Sequence, residues 1–304
     1  MKFGAPAFSY KNFRHFARDR VKSGFYTINL GDNMQTLAVK ALYGKLGISE
    51  GDVVSVDRDS MASYTGSPVC LIMNGCFYRW SFPIPENIIP VFIGFQARED
   101  VISEFVDFFK RHEPIGCRDQ VTADLFQKHG VAAFTTGCLT MTFGVRRSPP
   151  ANGRVLIVYG SGAGAIPQGI LKHIPGHLLD NAEFIFQRKV VHSYPLNETE
   201  MEHAELYARH LLRDYRHRAS LVITPLHHAA APCMASGIPV IICRERDDPR
   251  FSYLRTITRV YLPEDFPNIK WDVKPVNIAP IRKAMIEQTK VALDAAIRRS
   301  RALI

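Results

Sequence analysis

The run from Pro114 to Phe143, PIGCRDQVTADLFQKHGVAAFTTGCLTMTF, sets an arginine–aspartate pair and a hydroxyl-rich stretch on either side of one helix-length segment. Ile115-Gly116-Cys117 is short and apolar enough to end a buried strand, so Arg118 and Asp119 emerge at its carboxyl edge, where open α/β sheets bind ligands. A guanidinium there can grip an anion, and a carboxylate can take a proton from a hydroxyl. A salt bridge between the two that orders its own loop is the competing reading. Thr140, in the hydroxyl-rich stretch, is a candidate to line the same cleft.

Three further segments carry candidate chemistry. In Asn29-Leu30-Gly31-Asp32-Asn33-Met34-Gln35 a strand gives way to a helix, with Gly31 expected to turn the chain and Asp32 to cap the helix. Asn29, Asp32, Asn33 and Gln35 make a dense polar group at that helix start, which suits a cleft wall or an anion as well as a plain cap. Tyr159-Gly160-Ser161-Gly162-Ala163-Gly164 follows a strand, but it lacks full GxGxxG spacing and an acid about 20 residues on, so a strand-to-helix turn outweighs a dinucleotide site. Thr224-Pro225-Leu226-His227-His228 ends another strand and places two histidines at a sheet edge with no third ligand spaced for zinc. Among Arg188, Arg244, Arg246, Arg250, Arg255 and Arg259, most are expected to be solvated surface charge; Arg244 carries more weight because it directly follows the strand VIIC.

Alternating elements position these groups. FYTINL, NMQTLAVKALYGKLGI, VVSVD, PVCLIMNG, IIPVFIGF, EDVISEFVDFF and EPIGCRD follow the βαβ rhythm of a parallel sheet. After a break at Ser148-Pro149-Pro150-Ala151-Asn152-Gly153 the rhythm resumes with GRVLIVYG, NAEFIFQ, a helix from Glu198 to Tyr215, SLVITP and GIPVIIC. The expectation is an α/β chain with two Rossmann-like lobes, residues 1–150 and 151–304, facing a cleft. Ile281, Met285, Ile286, Val291, Leu293 and Ile297 mark a final amphipathic helix, expected to pack across a lobe.

Composition narrows the setting. The 304 residues are long enough for two lobes, and 46% hydrophobic with 22% charged residues is ordinary for a globular protein without a membrane span. The amino-terminal stretch has no continuous apolar core of the secretory type, so a cytoplasmic location is expected. Six scattered cysteines form no CxxC pair and are expected to be free thiols. The net charge of +9 points to an anionic partner, but much of it lies in Lys11 to Lys22 and Arg282 to Arg301, with no basic stripe interleaved with aromatics, so nucleic acid is not expected. The basic helix from Lys283 to Arg301 suits peripheral contact with an anionic membrane face, or a docked helix with its charges in water.

Taken in order, the GDxxQ-type turn, PIGCRD with TGCLTMTF, the strand–His–small-helix–GIPVI block, FSYLRTI and NIKWDVKPVNI resemble the polysaccharide pyruvyl transferase family from about Tyr26 to Ile281. The resemblance implies a GT-B-like pair of lobes, phosphoenolpyruvate as donor, a sugar acceptor that is lipid-linked in some settings, and neither metal nor cofactor. The family's late block reads Ser/Thr-Arg-Leu-His, its arginine and histidine holding the donor's anionic end. Alignment on Gly237-Ile238-Pro239 puts His228 at the family histidine, His227 at the leucine and Leu226 at the arginine. Donor binding then borrows a cation from His227, Arg244 or Arg188, or the donor differs, or activity is lost.

On this basis His228 is the expected proton donor, and Asp32 or Asp119 the expected base. Asn29, Asn33, Gln35, Arg118 and Thr140 are expected to line the acceptor side of the cleft. A GT-B-type glycosyltransferase using a nucleotide sugar and a non-catalytic glycan- or anion-binding protein are the alternatives.

Overall fold

The computed structural model describes residues 1–13 and 26–301. Arg14, Arg18, Arg20 and Lys22 of the basic amino-terminal stretch, Phe25 of the expected first strand and Leu303 of the expected last helix lie outside the described residues. The chain is a mixed α/β structure built on parallel sheets.

Strands Val53–Asp57, Lys2–Ala7, Val69–Ile72 and Ile88–Val91 lie side by side in that order, all parallel. The last two continue past a break as Gly75–Cys76 and Phe95–Gln96, and Ile115–Cys117 and Ala133–Thr135 extend the array. Amide-to-carbonyl bonds from Met73 to Val91 (2.9 Å) and from Gly75 to Gly94 (3.0 Å) carry the ladder across the break. The strand Lys2–Ala7 is not anticipated by the sequence pattern, because Gly4 and Pro6 interrupt its apolar run. Gly4 answers a need for space: a Cβ there would stand 2.9 Å from Leu71 Cδ1.

The second sheet orders Ala182–Phe186, Arg154–Tyr159, Ala219–Thr224, Val240–Cys243 and Val260–Tyr261, again all parallel. In both sheets the first strand in sequence lies between the second and the third. The winding reverses beside it, which opens a crevice outside the carboxyl ends of the strands. One expected strand is corrected: Tyr26–Asn29 of FYTINL joins neither parallel sheet but pairs antiparallel with Arg188–Val191 from the second half of the chain. A four-residue strand leading straight into a helix has no periodicity that would reveal its partner.

One buried cluster joins the halves, from Ala5, Leu30, Met34 and Leu139 through Leu156, Val158 and Ala230 to Met285. Within it, helix Leu30–Lys45 packs against helices Glu198–Arg218 and His227–Ala235. The last helix, Ala279–Arg301, returns to strands Val69–Ile72 and Ile88–Val91. It buries Met285 and Leu293, each worth roughly 2 kcal/mol of apolar burial. Val291, assigned to the apolar face from the sequence, is 59% exposed. No helix among the described residues is long and apolar enough to cross a membrane.

Candidate active site

The carboxyl ends of both sheets open onto one cavity of about 340 Å³. On the first sheet, Tyr10 follows strand Lys2–Ala7, Arg58 follows Val53–Asp57 and Tyr78 follows Gly75–Cys76. On the second, Gly160 follows Arg154–Tyr159, Arg188 follows Ala182–Phe186 and Pro225 to His228 follow Ala219–Thr224. A larger groove of about 650 Å³ between helices Leu30–Lys45 and Glu198–Arg218 borders the amino end of strand Val53–Asp57 and contains no histidine. Position and chemistry both favour the smaller cavity.

On the first sheet's side, the cap of helix Leu30–Lys45 is Asn29, whose side-chain oxygen accepts from the Gly31 amide at 3.1 Å. The expectation that Asp32 caps the helix and Gly31 turns the chain is corrected: both lie within the helix. Gly31 is small because a Cβ there would stand 2.9 Å from both Cβ and Nδ1 of His228. Asp32 faces the cavity, its Oδ2 accepting from the Tyr10 hydroxyl (3.0 Å) and its Oδ1 from Asn29 Nδ2 (3.2 Å). Burial raises its pKa, against the lowering pull of Arg58, Tyr10 and Arg188, so the carboxylate is a readier proton acceptor than a surface aspartate.

Tyr10 reaches Asp32 from a left-handed backbone with φ 58°, a conformation that a residue with a side chain holds only where its surroundings fix it. Arg58 lies beneath. Its Nε donates to Asp59 Oδ1 at 2.9 Å, and its guanidinium carbon sits 4.6 Å from the Phe8 ring centre and 5.1 Å from that of Tyr78.

On the second sheet's side, His227 and His228 open helix His227–Ala235. Burial, then Arg118 and Arg250, hold His228 well below the usual histidine range; His227 is lowered by burial, by His228 and by the same two arginines. Both shifts favour the neutral imidazole. Arg244 gives Nη1 to the Pro225 carbonyl and Nη2 to Asp248 Oδ2, each at 2.8 Å, its buried Nε lacks a hydrogen-bond partner, and the guanidinium stacks 4.8 Å from the Phe251 ring centre. Arg250 shares that carboxylate, with Nη2 at 2.6 Å, and its side chain remains 48% exposed. One carboxylate therefore serves two arginines, and uncompensated positive charge faces the histidines. Arg118 adds a guanidinium from the first sheet, 3.2 Å from Cys76 Sγ and bonded to Gln96. Arginines from both sheets around two histidines suit a small ligand bearing carboxylate or phosphate groups.

Asn29, Asp32, Arg118, Arg188, His227, His228 and Arg244, all singled out from the sequence, meet in this cavity. Asp119 does not line it. It caps helix Gln120–Lys128, accepting from the Thr122 amide (2.9 Å) and hydroxyl (2.8 Å), with Arg118 Nε 3.7 Å away, so the expected base is corrected to a cap with a long ion pair. Asn33, Gln35 and Thr140 are also buried behind the lining rather than part of it. Gln35 Nε2 lies 3.5 Å from Asp32 Oδ1, and the Thr140 hydroxyl 3.3 Å from Cys138 Sγ. Arg188 holds the Thr27 hydroxyl at 2.8 Å, and the glycine run is a tight turn closed by the Gly160 amide on the Gly164 carbonyl (2.7 Å).

Sequence reasoning missed Tyr10, Arg58 and Tyr78, and it grouped Arg250 with solvated charge although Arg250 lines the cavity. Arg58 had a usable signal, since it follows VVSVD as directly as Arg118 follows Ile115-Gly116-Cys117. Among the described residues, no cluster of three or more His, Cys, Asp or Glu could hold a metal ion, and the cysteines are free.

An uncharacterized protein from Klebsiella pneumoniae subsp. pneumoniae NTUH-K2044, known from a crystal structure, aligns at 12% identity with a TM-score of 0.44, over 80% of this chain and 94% of that one. No curated protein matches the chain in sequence. The sequence model of one family, polysaccharide pyruvyl transferase, matches residues 29–247. That span begins at the Asn29 cap and takes in Asp32, Arg118, His228 and Arg244, most of the polar wall of the cavity from both sheets, and the chain belongs to the polysaccharide pyruvyl transferase family.

Proposed function

We propose that the protein transfers the three-carbon unit of phosphoenolpyruvate to two hydroxyls of a sugar, forming a pyruvate ketal and releasing phosphate. The observation that carries this reading is that His228 from the second sheet and Asp32 from the first face one arginine-lined cavity. A proton passes from His228 to the methylene carbon, which becomes the methyl group, and C2 becomes an oxocarbenium-like centre. One sugar hydroxyl attacks C2, the bond to phosphate oxygen breaks, and the second hydroxyl closes the ketal. Asp32 takes the first hydroxyl's proton and passes it to the departing phosphate, then takes the second, which exchanges with solvent as His228 is reprotonated.

The donor's phosphate and carboxylate lie against Arg250, Arg118 and His227. Arg250 is the best substitute for the family arginine replaced by Leu226, because Arg244 is already committed to Pro225 and Asp248. The acceptor lies toward Tyr10, Tyr78 and Asp32, where aromatic faces suit a sugar ring. The change of sheet between Thr135 and Arg154 supports a division near residue 150 into an acceptor-side and a donor-side lobe in a GT-B-like arrangement. The lipid linkage of the acceptor belongs to this reading, as does a cytoplasmic, membrane-peripheral setting.

The test is to incubate the pure protein with phosphoenolpyruvate and a panel of sugars, and to follow phosphate release together with the mass of the acceptor. A product carrying one pyruvate ketal supports the reading. Tight donor binding without phosphate release would make the protein a binding homologue, and turnover of a nucleotide sugar instead would make it a glycosyltransferase.

A further inference from the structure

The two ring nitrogens of His228 stand in different surroundings. Nε2 faces the protein interior, 3.6 Å from Cys138 Sγ. Cys138 is fully buried in the TGCLTMTF stretch, and its sulfur also receives the Thr140 hydroxyl at 3.3 Å. Nδ1 faces the opposite way, toward Gly31 in the first turn of helix Leu30–Lys45, where any side chain would press on it. Gly31, having no side chain, lets the ring pack close, and Nδ1 sits on the side of the ring away from Cys138 in a residue that lines the cavity.

We propose that Cys138 is a positioning residue: its sulfur accepts a hydrogen bond from Nε2–H of His228, which fixes the ring and leaves Nδ1 as the nitrogen that gains and loses the catalytic proton. In the free protein Nδ1 then carries a lone pair. When an anionic donor faces Arg118 and Arg250, Nδ1 takes a proton. In transfer the Nδ1–H bond breaks, its electron pair stays on the ring, and the enol π pair of the donor forms the new C–H bond. Nε2–H remains on Cys138 throughout, so the ring returns to the tautomer from which it started. Burial also pushes the Cys138 pKa up, which keeps it a neutral thiol rather than a competing charge beside the imidazole.

The tautomer is independent of the reaction assigned to the protein; the use of Nδ1 rests on the pyruvyl-transfer reading. Nitrogen-15 NMR of the histidine-labelled, full-length protein separates the two. The expected result is His228 with Nε2 protonated and Nδ1 pyridine-like at neutral pH. Protonation of Nδ1 with Nε2 bare would overturn the proposal whether or not the protein turns over. In the Cys138→Ala variant the ring loses its acceptor, and kcat falls by about 10- to 100-fold with KM for phosphoenolpyruvate unchanged. Cys138→Ser, which keeps an acceptor for Nε2–H, recovers most of that loss. A Cys138→Ala protein that lowers the melting temperature yet keeps its kcat per folded molecule would show that Cys138 only fills space. If that variant does not fold, the wild-type tautomer still decides the assignment.

Discussion

Gly31 and His228 meet across the two halves of the chain, the one in the first turn of helix Leu30–Lys45 and the other at the start of helix His227–Ala235, with room between them for a hydrogen but not for a methyl group. A Cβ on residue 31 would stand 2.9 Å from His228, closer than packed atoms allow, so the imidazole or the helix must shift. Gly31→Ala is expected to fold with a loss of about 1–3 kcal/mol and to lower turnover by roughly 100-fold, since a small displacement of a reacting group costs that much. Thermal melting and phosphate release measured together check it; a stable variant with unchanged turnover would free His228 from this contact.

His228→Gln removes the proton donor while keeping most of the volume. Turnover should fall by about 10²- to 10⁴-fold with a native melting profile. Undiminished transfer would take His228 out of the mechanism.

The two arginines on Asp248 should behave differently. Arg250→Ala leaves Asp248 paired with Arg244, so the fold persists while KM for phosphoenolpyruvate rises. Arg244→Ala strips the Pro225 carbonyl of a buried partner, and its main effect is a stability loss of roughly 1–3 kcal/mol seen in denaturant melts. Equal effects on KM from both would place Arg244 on the donor as well.

Arg58 and Asp59 form an ion pair whose side chains are 2% and 0% exposed, so removing one partner strands the other. Asp59→Ala should destabilise by about 3–5 kcal/mol. A loss below about 1 kcal/mol would mean that water reaches Arg58.

Histidine burial predicts how stability responds to acid. His227 and His228 have folded pKa values below their unfolded value of about 6.5, so the unfolded chain binds more protons as pH drops under 6.5. Stability should be full above that range and decline on acidification, and His228→Gln should flatten the decline. Asp32, whose folded pKa is raised, acts in the opposite sense: its contribution is present below the unfolded carboxylate value and lost as pH rises through its folded one. Donor anions beside Arg118 and Arg250 favour charged His228, so phosphoenolpyruvate binding should take up protons. Calorimetry in buffers of different ionisation enthalpy measures this, and zero uptake would separate donor binding from His228.

Much of the scaffold was legible because strand and helix periods are local. Ile115-Gly116-Cys117, SLVIT and VIIC are short apolar runs read as strands, and the groups that follow them, Arg118, His227, His228 and Arg244, line one cavity. Asp119 shows where position alone fails: adjacent to a lining residue, it turns to the Thr122 amide because a helix start demands a cap. Thr140 stands one layer too deep, its hydroxyl on the buried Cys138 sulfur, and Gln35 lies behind Asp32, its amide 3.5 Å from that carboxylate.

Sequence by itself determined the α/β rhythm, the resemblance to the family and the histidine at the late strand end, since each depends on residue type and spacing along one segment. Only the tertiary structure decided which groups share the cavity. Tyr10 and Arg250, 240 residues apart in numbering, line it together because two sheets turn their carboxyl edges toward one crevice. Gly31 is required by the histidine packed against it rather than by a turn. Contacts between segments follow from how the sheets and helices pack, and no local pattern in the chain encodes them.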